Sequence, residues 1–419
     1  MFAARALRMA AYGAIAIILV LFLAASGLDG AAIGILLSLT LAGDALISLW
    51  LTVHADRFGR RRTLITGALL MAGAGLAFTV SSEFAVLLLA ATLGVISPSG
   101  SEVGPFLAVE QAALSHVVPH ERRTSVFSWY NLIGSIATAV GALVTGLALA
   151  FLRAGGASEL AADRVVLLGY AVLGLLLLPL IAAVSPAVEA EAHDVSIERR
   201  FGLHRSRGVV ARLTLLFSLD AFAGGLVMQS LLAYWLHARF GVEEALLGAI
   251  FFALNLLAAV SALAAARIAR RIGLLNTMVF SHLPSNLLLI LVPLMPNLEL
   301  AILVLLARFS ISQMDVPTRQ AYTMAIVAPD ERSAAAGVTG IGRTAGLALS
   351  PLIAGPLLAI PALAAVPFFI SGALKVVYDL SLWAVFRRLP IPEEAPAVTE
   401  DELLGSPGER QSADVPPPG

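Results

Sequence analysis

The chain contains no cysteine and little charge: 13% of its 419 residues are charged, and lysine occurs once, at Lys375. The lack of cysteine excludes disulfides, cysteine-ligated zinc and thiol nucleophiles. The seven histidines form neither an HExxH motif nor a histidine-rich tract, and no phosphate-binding GxxxxGK[ST] motif is present. A formal net charge of −1 gives no reason to expect a nucleic-acid partner. We therefore predict no metal, no cofactor and no nucleic acid.

Apolar residues, in contrast, make up 59% of the chain, and the mean hydropathy is +0.90. Soluble proteins are about half apolar and about a quarter charged. A membrane-spanning helix needs about 20 apolar residues. Twelve runs can be drawn at roughly that length: 9–28, 32–53, 63–81, 84–117, 124–152, 165–185, 209–236, 244–266, 274–294, 299–327, 334–359 and 364–386. The sequence predicts an all-α polytopic membrane protein with twelve transmembrane helices.

The fourth run is too long for one straight helix. It contains Pro98, Gly100, Gly104 and Pro105. Proline and glycine interrupt helices, and membrane-embedded protein tolerates such a break where it is covered or faces water. We expect a kink or an unwound turn inside this span.

The basic residues predict the orientation of the chain. If both termini are cytoplasmic, most of the 27 basic residues fall on the cytoplasmic side, Arg5 and Arg8 among them, and only Arg153, Arg164 and Arg239 fall in the opposite loops. Basic loops remain in the cytoplasm. The first run is longer than the apolar core of a signal peptide, so we interpret it as an uncleaved first span.

The chain repeats itself. The tetrad Pro119-His120-Glu121-Arg122 returns as Pro329-Asp330-Glu331-Arg332, and each copy precedes a glycine-rich run. An offset of six spans predicts two parallel halves. The expected organisation is two six-helix bundles, at 1–185 and 209–388. A charged cytoplasmic linker at 186–208 joins them, and a disordered Pro- and Glu-rich tail follows at 389–419.

One loop carries a family motif, the stretch Asp56-Arg57-Phe58-Gly59-Arg60-Arg61-Arg62 after the second run. With two six-span halves, it resembles the major facilitator superfamily of secondary transporters, whose loop has the form G-x3-D-R/K-x-G-R-R/K. Thr52 stands where that form begins with glycine. The resemblance implies the twelve-helix fold of that family, transport by alternating access, and no enzymatic activity.

The resemblance also implies a cytoplasmic latch. Asp56 is expected near the start of the eleventh span, where helix N–H groups favour a carboxylate by about 0.3–1 kcal/mol. The alternative is that the arginines only anchor topology and anionic lipid. The residues assigned to the latch are Asp56, Arg57, Gly59, Arg60, Arg61 and Arg343.

Ionisable residues inside apolar runs are functional candidates, because a membrane-embedded charge costs several kcal/mol unless it faces protein or water. The runs contain Asp44, Glu102, Glu110, Asp220, Arg308, Asp315, Arg319, Arg343, Lys375 and Asp379. In the family that this chain resembles, spans 1, 4, 7 and 10 line the central cavity. We assign the proton-coupling and substrate path to those on spans 4, 7 and 10: Glu102, Glu110, Asp220, Arg308, Asp315 and Arg319.

Spacing predicts particular partners. Asp315 and Arg319 are four residues apart and share a helix face. They form either a substrate-binding pair or a structural pair at the kink made by Pro317. Lys375 and Asp379, also four apart, are expected to pair structurally. Other expected pairs are Glu110 with Arg319 across the cavity and Asp44 with Arg343.

The leading functional hypothesis is proton-coupled efflux by antiport, with Glu102 or Asp220 as the proton carrier. The eleventh span, with Gly342, Gly346, Pro351 and Gly355, resembles an antiporter motif of the family, but ordinary small-residue packing explains it equally well. The alternative is uptake of a small anionic metabolite, held by Arg319 or Arg308. A non-transporting sensor or an intramembrane enzyme is a less favoured reading.

The expected partners are a small-molecule substrate, protons and the lipid bilayer, and the protein is expected to be a monomer. The Ala- and Arg-rich composition favours a GC-rich bacterial genome, and so a place in the inner membrane.

Overall fold

The computed structural model describes residues 1–185, 189 and 203–388, so the predicted tail and most of the predicted linker lie outside the described residues. Within the described residues the chain is helical and forms no strand. The helices are α1 (Phe2–Ala25), α2 (Gly30–Phe58), α3 (Arg60–Val80), α4 (Phe84–Leu93), α5 (Phe106–Val117), α6 (His120–Ala154), α7 (Glu159–Ala182), α8 (Arg207–Gly225), α9 (Gln229–Phe240), α10 (Glu244–Ile272), α11 (Leu274–Leu291), α12 (Leu298–Phe309), α13 (Asp315–Ile326), α14 (Arg332–Leu349), α15 (Pro351–Ala359) and α16 (Val366–Phe386).

These helices make twelve crossings. Ten segments of the described chain are long and apolar enough to span a membrane. Two further crossings each consist of two shorter helices, α4 with α5 and α12 with α13. The predicted number of spans is confirmed. We call the end that holds the loop between α2 and α3 the basic end, and the other the opposite end.

Local capping sets several helix starts at the opposite end. The Asp29 carboxylate accepts the Ala32 N–H at 2.8 Å and begins α2. Asn297 accepts the Leu300 N–H at 3.0 Å and begins α12, and Ser158 does the same for α7. Such side chains satisfy N–H groups that have no partner inside the helix. The turns between spans are therefore specified by the sequence next to them.

Four of the crossings are interrupted along their length. Breaks lie between α4 and α5, between α8 and α9, between α12 and α13, and at Ser350 between α14 and α15. In the first of these, Gly100 and Gly104 adopt φ of 69° and 80°, which only glycine tolerates readily. The break predicted in the fourth span is confirmed. In span 10 the break precedes Pro317, which lies in the first turn of α13, where proline costs no helical hydrogen bond.

The backbone groups freed by the fourth-span break find partners inside the protein. The Ser97 hydroxyl donates to the Ser101 carbonyl at 2.6 Å, and the Gly104 N–H donates to Asp44 Oδ1 at 2.7 Å. The Pro98 carbonyl accepts the Ser230 N–H of the other bundle at 3.1 Å. Broken helices persist within a bilayer only when such groups are satisfied. The break is thus an ordered structural element that lies where the two bundles meet.

Glycine lets the two bundles touch at the opposite end. A methyl group at Gly355 of α15 would lie 2.3 Å from the Gly30 carbonyl oxygen of α2. A methyl group at Gly248 of α10 would lie 2.8 Å from the Ala142 carbonyl oxygen of α6. Backbones approach this closely in membranes only where small residues stand. Elsewhere on span 11, a methyl group at Gly346 would meet the Ser218 carbonyl of α8, so these glycines serve packing.

An ion pair joins the bundles at the same end. The guanidinium of Arg153, in the last turn of α6, lies 2.7 Å from the Glu244 carboxylate at the start of α10. Its guanidinium also lies 3.5 Å from Glu159 of α7. The side chain of Glu244 is buried, which strengthens the attraction relative to a surface pair. Glycine contact and charge together hold this end closed.

The start of α8 is held by a carboxylate of the repeated tetrad. Glu331 accepts the backbone N–H groups of Arg205 and Ser206 at 2.7 and 2.8 Å, and also that of His204. The hydrogen bond from the Ser206 side chain, together with these backbone bonds, lowers the pKa of Glu331 to about 2. Glu331 therefore ties the end of the linker to the second bundle.

A leucine at Gly355 should open the opposite end. Overpacking costs about 1–3 kcal/mol, which would reduce the closed population relative to the open one by a factor of roughly 5 to 150. Because the chain has no cysteine, a Ser101→Cys reporter in the exposed part of the break can be labelled without background. We expect faster labelling by an impermeant maleimide added from the opposite side in Gly355→Leu. Gly73→Leu, where a side chain meets open space, is the control; equal rates in both variants would contradict the packing argument.

The Glu331 contact should depend on pH. Its pKa is lowered in the folded protein, so its contribution is complete above the ordinary glutamate value of about 4.3 and is lost as the pH falls through about 2. In Glu331→Gln, amide exchange of residues 204–206 should be faster than in the parent at pH 7, and the difference should shrink toward pH 2. Exchange measured by mass spectrometry at several pH values checks this. A difference that stays constant with pH would exclude the carboxylate as the cause.

Candidate functional site

A cluster of buried charges lies in the first bundle, and we call it the N-terminal centre: Arg5, Arg8, Glu102, Glu110 and Tyr130. Arg5 and Arg8 each donate to Glu102 over 2.7 Å. Arg8 also makes two parallel bonds to Glu110, both 3.0 Å long. The Tyr130 hydroxyl donates to Glu110, and its ring lies 4.0 Å from the Arg5 guanidinium. Two arginines thus balance two glutamates.

The broken fourth span makes this cluster possible. Glu102 lies in the loop between α4 and α5, and Glu110 lies in α5, so the two carboxylates reach α1 at successive levels. Arg5 and Arg8 are three residues apart on α1 and share a face. A bidentate arginine is the cation best suited to bind a buried carboxylate. The cluster is assembled from α1, the break, α5 and α6.

The first two arginines were misplaced by sequence reasoning. Arg5 and Arg8 were counted among the basic residues that face the cytoplasm, but the structure buries both side chains, and Arg8 is 0% exposed. Their partners are glutamates about a hundred positions further along the chain, which no local pattern shows. The available signal was their spacing on one helix face.

A second cluster lies in the other bundle, and we call it the C-terminal centre: Asp220, Asp315, Arg319, Arg343 and Lys375. Lys375 Nζ lies 2.6 Å from Asp220 Oδ1, while Arg343 and Arg319 approach Asp220 Oδ2 at 3.2 and 3.4 Å. Arg319 also bonds Asp315 at 2.8 Å. Asp220 on α8 therefore holds cations from α13, α14 and α16 together.

A histidine borders this centre. His282 of α11 lies with Nδ1 2.9 Å from Asp379 Oδ1 and Nε2 4.0 Å from Asp220 Oδ1. Asn286 donates to Asp379 Oδ2 at 2.8 Å. All of these side chains are buried. Sequence reasoning did not include His282, although a histidine within the ninth apolar run was a usable signal.

The predicted pair between Lys375 and Asp379 is wrong. Although the two residues are one helical turn apart on α16, Lys375 bonds Asp220 and Asp379 bonds His282 and Asn286. Residues four apart share a helix face, but a better partner on another helix takes precedence. The predicted pair of Asp315 with Arg319 is present, at 2.8 Å.

Two expected pairings across the chain are not made in this structure. Glu110 bonds Arg8, and Arg319 bonds Asp315 and Asp220, so each stays within its own bundle. Asp44 accepts hydrogen bonds from the Gly104 N–H and from the Ser48 hydroxyl, at 2.7 and 3.2 Å, rather than from Arg343. The charges of each bundle are thus satisfied mainly from within it.

The predicted latch region contacts the linker. Gly59, with φ of 92°, precedes α3, and the Arg60 and Arg61 N–H groups donate to the Glu189 carboxylate at 2.7 and 3.1 Å. The side chains of Asp56 and Arg57 lie outside the described residues. Arg343, which was assigned to the latch, donates to Asp220 in the C-terminal centre. A helix start is a natural site for a carboxylate, and here Glu189 occupies it.

Arg308 stands beside the C-terminal centre, near enough for the charges of Asp315 and Asp220 to act on it, and it adds to the cationic donors there. Among the described residues no ion pair involves Arg308; its guanidinium lies 5.0 Å from the Phe309 ring, and its Nε has no hydrogen-bond partner. The Arg343 side chain is 34% exposed, the most accessible member of the centre. A guanidinium has five N–H donors. These two arginines can therefore bind a further acceptor.

Removing Arg8 should destabilise the first bundle strongly. Breaking a buried ion pair by deleting one partner costs about 3–5 kcal/mol, and here Glu110 would lose its only arginine while Glu102 would keep Arg5 alone. We expect Arg8→Met to lower the thermal unfolding midpoint of the purified protein clearly. Arg62→Met, at an exposed position, should stay within about 0.5 kcal/mol of the parent. Similar behaviour of the two variants would show that the N-terminal centre does not stabilise the fold.

Comparison with known proteins agrees with this architecture. The family model described as Major Facilitator Superfamily matches residues 1–314. A relative in Saccharomyces cerevisiae, the uncharacterized membrane protein YJR124C, is 33% identical over 411 residues, which cover 91% of this chain and 92% of the relative.

Solved structures share the fold. The nucleoside transporter NupG is 14% identical, with a TM-score of 0.72 over 92% of this chain and 98% of that chain. A D-xylose–proton symporter is also 14% identical, with a TM-score of 0.71 over 91% of this chain and 96% of that chain. The relative is a membrane protein, and the family model that matches most of the chain is that of a transporter family, so the chain is a multi-pass membrane transporter of a small molecule rather than an enzyme. The chain belongs to the Major Facilitator Superfamily.

Proposed function

We propose that this protein is a proton-coupled secondary transporter that moves a small organic anion by alternating access. The observation that carries the proposal is the C-terminal centre, where Arg308 has no ion pair within the described part of the chain and Arg343 is partly exposed. Charges in a membrane interior are retained where they serve a solute or a coupling ion. The C-terminal centre has cations that can bind an anionic solute and carboxylates whose charge a coupling proton would alter.

The broken spans and the bundle contacts support alternating access. Breaks interrupt the spans that carry Glu102, Asp220 and Asp315, and such interruptions line the substrate sites of secondary transporters. The bundles meet at the opposite end through Gly355, Gly248 and the pair of Arg153 with Glu244. In the proposal, residues 1–185 and 209–388 rock about the breaks, and these contacts open in the second state.

The basic loops supply the orientation of the proposal. The arginines at 57–62 favour the cytoplasmic side, so we place the basic end and both termini in the cytoplasm. The state described here is then closed to the outside. The latch of Asp56 and Arg57, a place in a bacterial inner membrane and a monomeric state stay predictions of the sequence.

The charge inventory favours an anionic substrate over the amphipathic compounds of the leading sequence hypothesis. Four cations, Arg308, Arg319, Arg343 and Lys375, stand around Asp220 and Asp315. Asp379, the further carboxylate, is bonded by His282 and Asn286. A carboxylate or phosphate group binds well to paired guanidinium donors. Uptake of an anion together with a proton is therefore favoured over drug efflux.

Coupling is assigned to the C-terminal centre. Both oxygens of Glu102 are bonded by arginines, and Glu110 is bonded by Arg8 and Tyr130, so the carboxylates of the N-terminal centre are satisfied within it. Asp220, in contrast, is contacted by three cations from three helices and by His282. A change in charge at Asp220 affects all of these helices at once. Of the two candidates from the sequence, Glu102 and Asp220, only Asp220 belongs to the centre through which a bound proton would act on several helices.

Proteoliposomes with an imposed pH gradient test the proposal. The probes are succinate and benzoate as anions, uridine and D-xylose as neutral solutes, and tetraphenylphosphonium as a cation. We expect an anion to accumulate when the outside is acidic, and Arg343→Gln to reduce this roughly tenfold or more, since a charge-assisted contact is worth about 1.5–3 kcal/mol. Arg239→Gln, at an exposed position of the opposite end, is the matched control.

Three outcomes would contradict the proposal. Accumulation of uridine, D-xylose or tetraphenylphosphonium without any anion would show that the cations of the C-terminal centre serve another purpose. Extrusion driven by the same gradient would restore the efflux hypothesis. Equal loss in Arg343→Gln and Arg239→Gln would remove Arg343 from the substrate site.

A further inference from the structure

We propose that His282 takes up the transported proton and, once charged, competes for Asp220, so that Arg343 is released into the cavity to hold the anion. This inference rests on the proposed function and names the coupling residue within it. It depends on the position of one imidazole between two carboxylates, Asp379 and Asp220, that belong to different helices.

Asp379 fixes the state of the ring. His282 Nδ1 lies 2.9 Å from Asp379 Oδ1 and 3.2 Å from the Asn286 amide nitrogen. An ionised carboxylate only accepts hydrogen bonds, so in the proposal Nδ1 donates over the shorter of these two contacts, to Asp379. Asn286 donates to the other oxygen of Asp379 at 2.8 Å and holds the carboxylate in place. A neutral imidazole with its proton on Nδ1 has a free lone pair on Nε2. The basic nitrogen therefore points toward Asp220, and Asp379 acts as a positioning residue.

Among the ionisable side chains in this region, His282 is the one suited to carry a proton. It faces Lys375, Tyr378 and Asp379 from α16, and Asp220 from α8. Arg319 of α13 reaches the same Asp220. Lysine, arginine and tyrosine ordinarily keep one charge state near neutral pH, whereas histidine changes its charge there. The exchangeable proton is therefore assigned to the ring.

A charged ring alters the competition for Asp220. Its two carboxylate oxygens already accept from Lys375 at 2.6 Å, Arg343 at 3.2 Å and Arg319 at 3.4 Å. A proton on Nε2, 4.0 Å away, adds a fourth cation that repels the other three and attracts Asp220. Arg319 stays attached to Asp315, and Lys375 is buried. Arg343, which is 34% exposed, is the cation that can leave toward water.

The charges balance over the cycle. One proton from the outer solution binds Nε2 and adds one positive charge, and one monovalent anion bound at Arg343 adds one negative charge. The loaded protein then carries the same net charge as the empty one, which keeps the movement through the low-dielectric membrane favourable. On the cytoplasmic side the anion leaves, Arg343 returns to Asp220, and the proton departs from Nε2. The only covalent bond that changes is the N–H bond at Nε2, which forms when the proton binds and breaks when it leaves.

The protonation of His282 can be measured without any solute. Substituting glutamine for the other histidines leaves His282 as the single imidazole; these are His54, His116, His120, His193, His204 and His237. With ring nitrogens labelled with nitrogen-15, this full-length variant in lipid bilayers should show a neutral ring protonated on Nδ1 at pH 8. It should show a ring protonated on both nitrogens when the pH is lowered to about 5.5.

The outcomes decide the proposal in either direction. A ring that remains neutral, or remains charged, at both pH values would overturn it. Asp379→Asn in the same background should remove the preference for the Nδ1 proton; an unchanged tautomer would show that Asp379 does not position the ring. These variants keep Asp220, Lys375 and Arg343, so the C-terminal centre itself is left intact.

A second measurement links the proton to the anion. Benzoate, a monovalent anion, added to the purified parent in weakly buffered solution should cause the uptake of about one proton per bound anion, and His282→Gln should bind it more weakly and take up no proton. His237→Gln, whose ring contacts the Val242 carbonyl at the opposite end, should behave as the parent. Proton uptake retained in His282→Gln would overturn the proposal. Absence of benzoate binding in the parent would count against the proposed function, whereas the ring measurement decides the proton site independently.

Discussion

The structure depends on the pairing of charges that are buried within a bundle of apolar helices. Arg8 is fully buried, and it is tolerated because Glu102 and Glu110 take up its donors. Asp220 is tolerated because Lys375, Arg319 and Arg343 surround it. A charge left alone in this environment costs several kcal/mol, so each pair fixes which helices must be neighbours. The pairs therefore specify the arrangement of helices whose apolar surfaces alone are interchangeable.

The two charge centres differ in how completely they are satisfied. In the N-terminal centre, two arginines balance two glutamates and bond all four carboxylate oxygens, with Tyr130 as a further donor, which suits a rigid part of the bundle. In the C-terminal centre the cations outnumber the carboxylates, and a histidine stands at its edge. An imbalance of this kind can be resolved by a solute or by a proton. We therefore place binding and coupling in the second bundle, with the first as its support.

The sequence predicted the features that depend on residues within one segment and missed the contacts between helices that are distant in sequence. Long apolar runs predict the spans, and Pro98, Gly100, Gly104 and Pro105 predict the break in the fourth, because both signals act within one segment. The partners of Arg8 and Lys375 could not be predicted, since they come from helices distant in sequence. The wrong pair of Lys375 with Asp379 shows that spacing identifies neighbours but does not rank them against residues of other helices.

The central expectation is that the two bundles move as rigid bodies, so that the opposite end opens as the basic end closes, and double electron–electron resonance tests it most directly. The natural lack of cysteine permits spin labels at Phe151 and Leu246 for the opposite end, and at Val117 and Asp330 for the basic end. At pH 8 and at pH 5.5, which mimic the two sides of the proton gradient, we expect two populations. In one population the opposite-end distance is short and the basic-end distance is long, and in the other the reverse holds. Two distances that stay fixed, or that lengthen together, would contradict it.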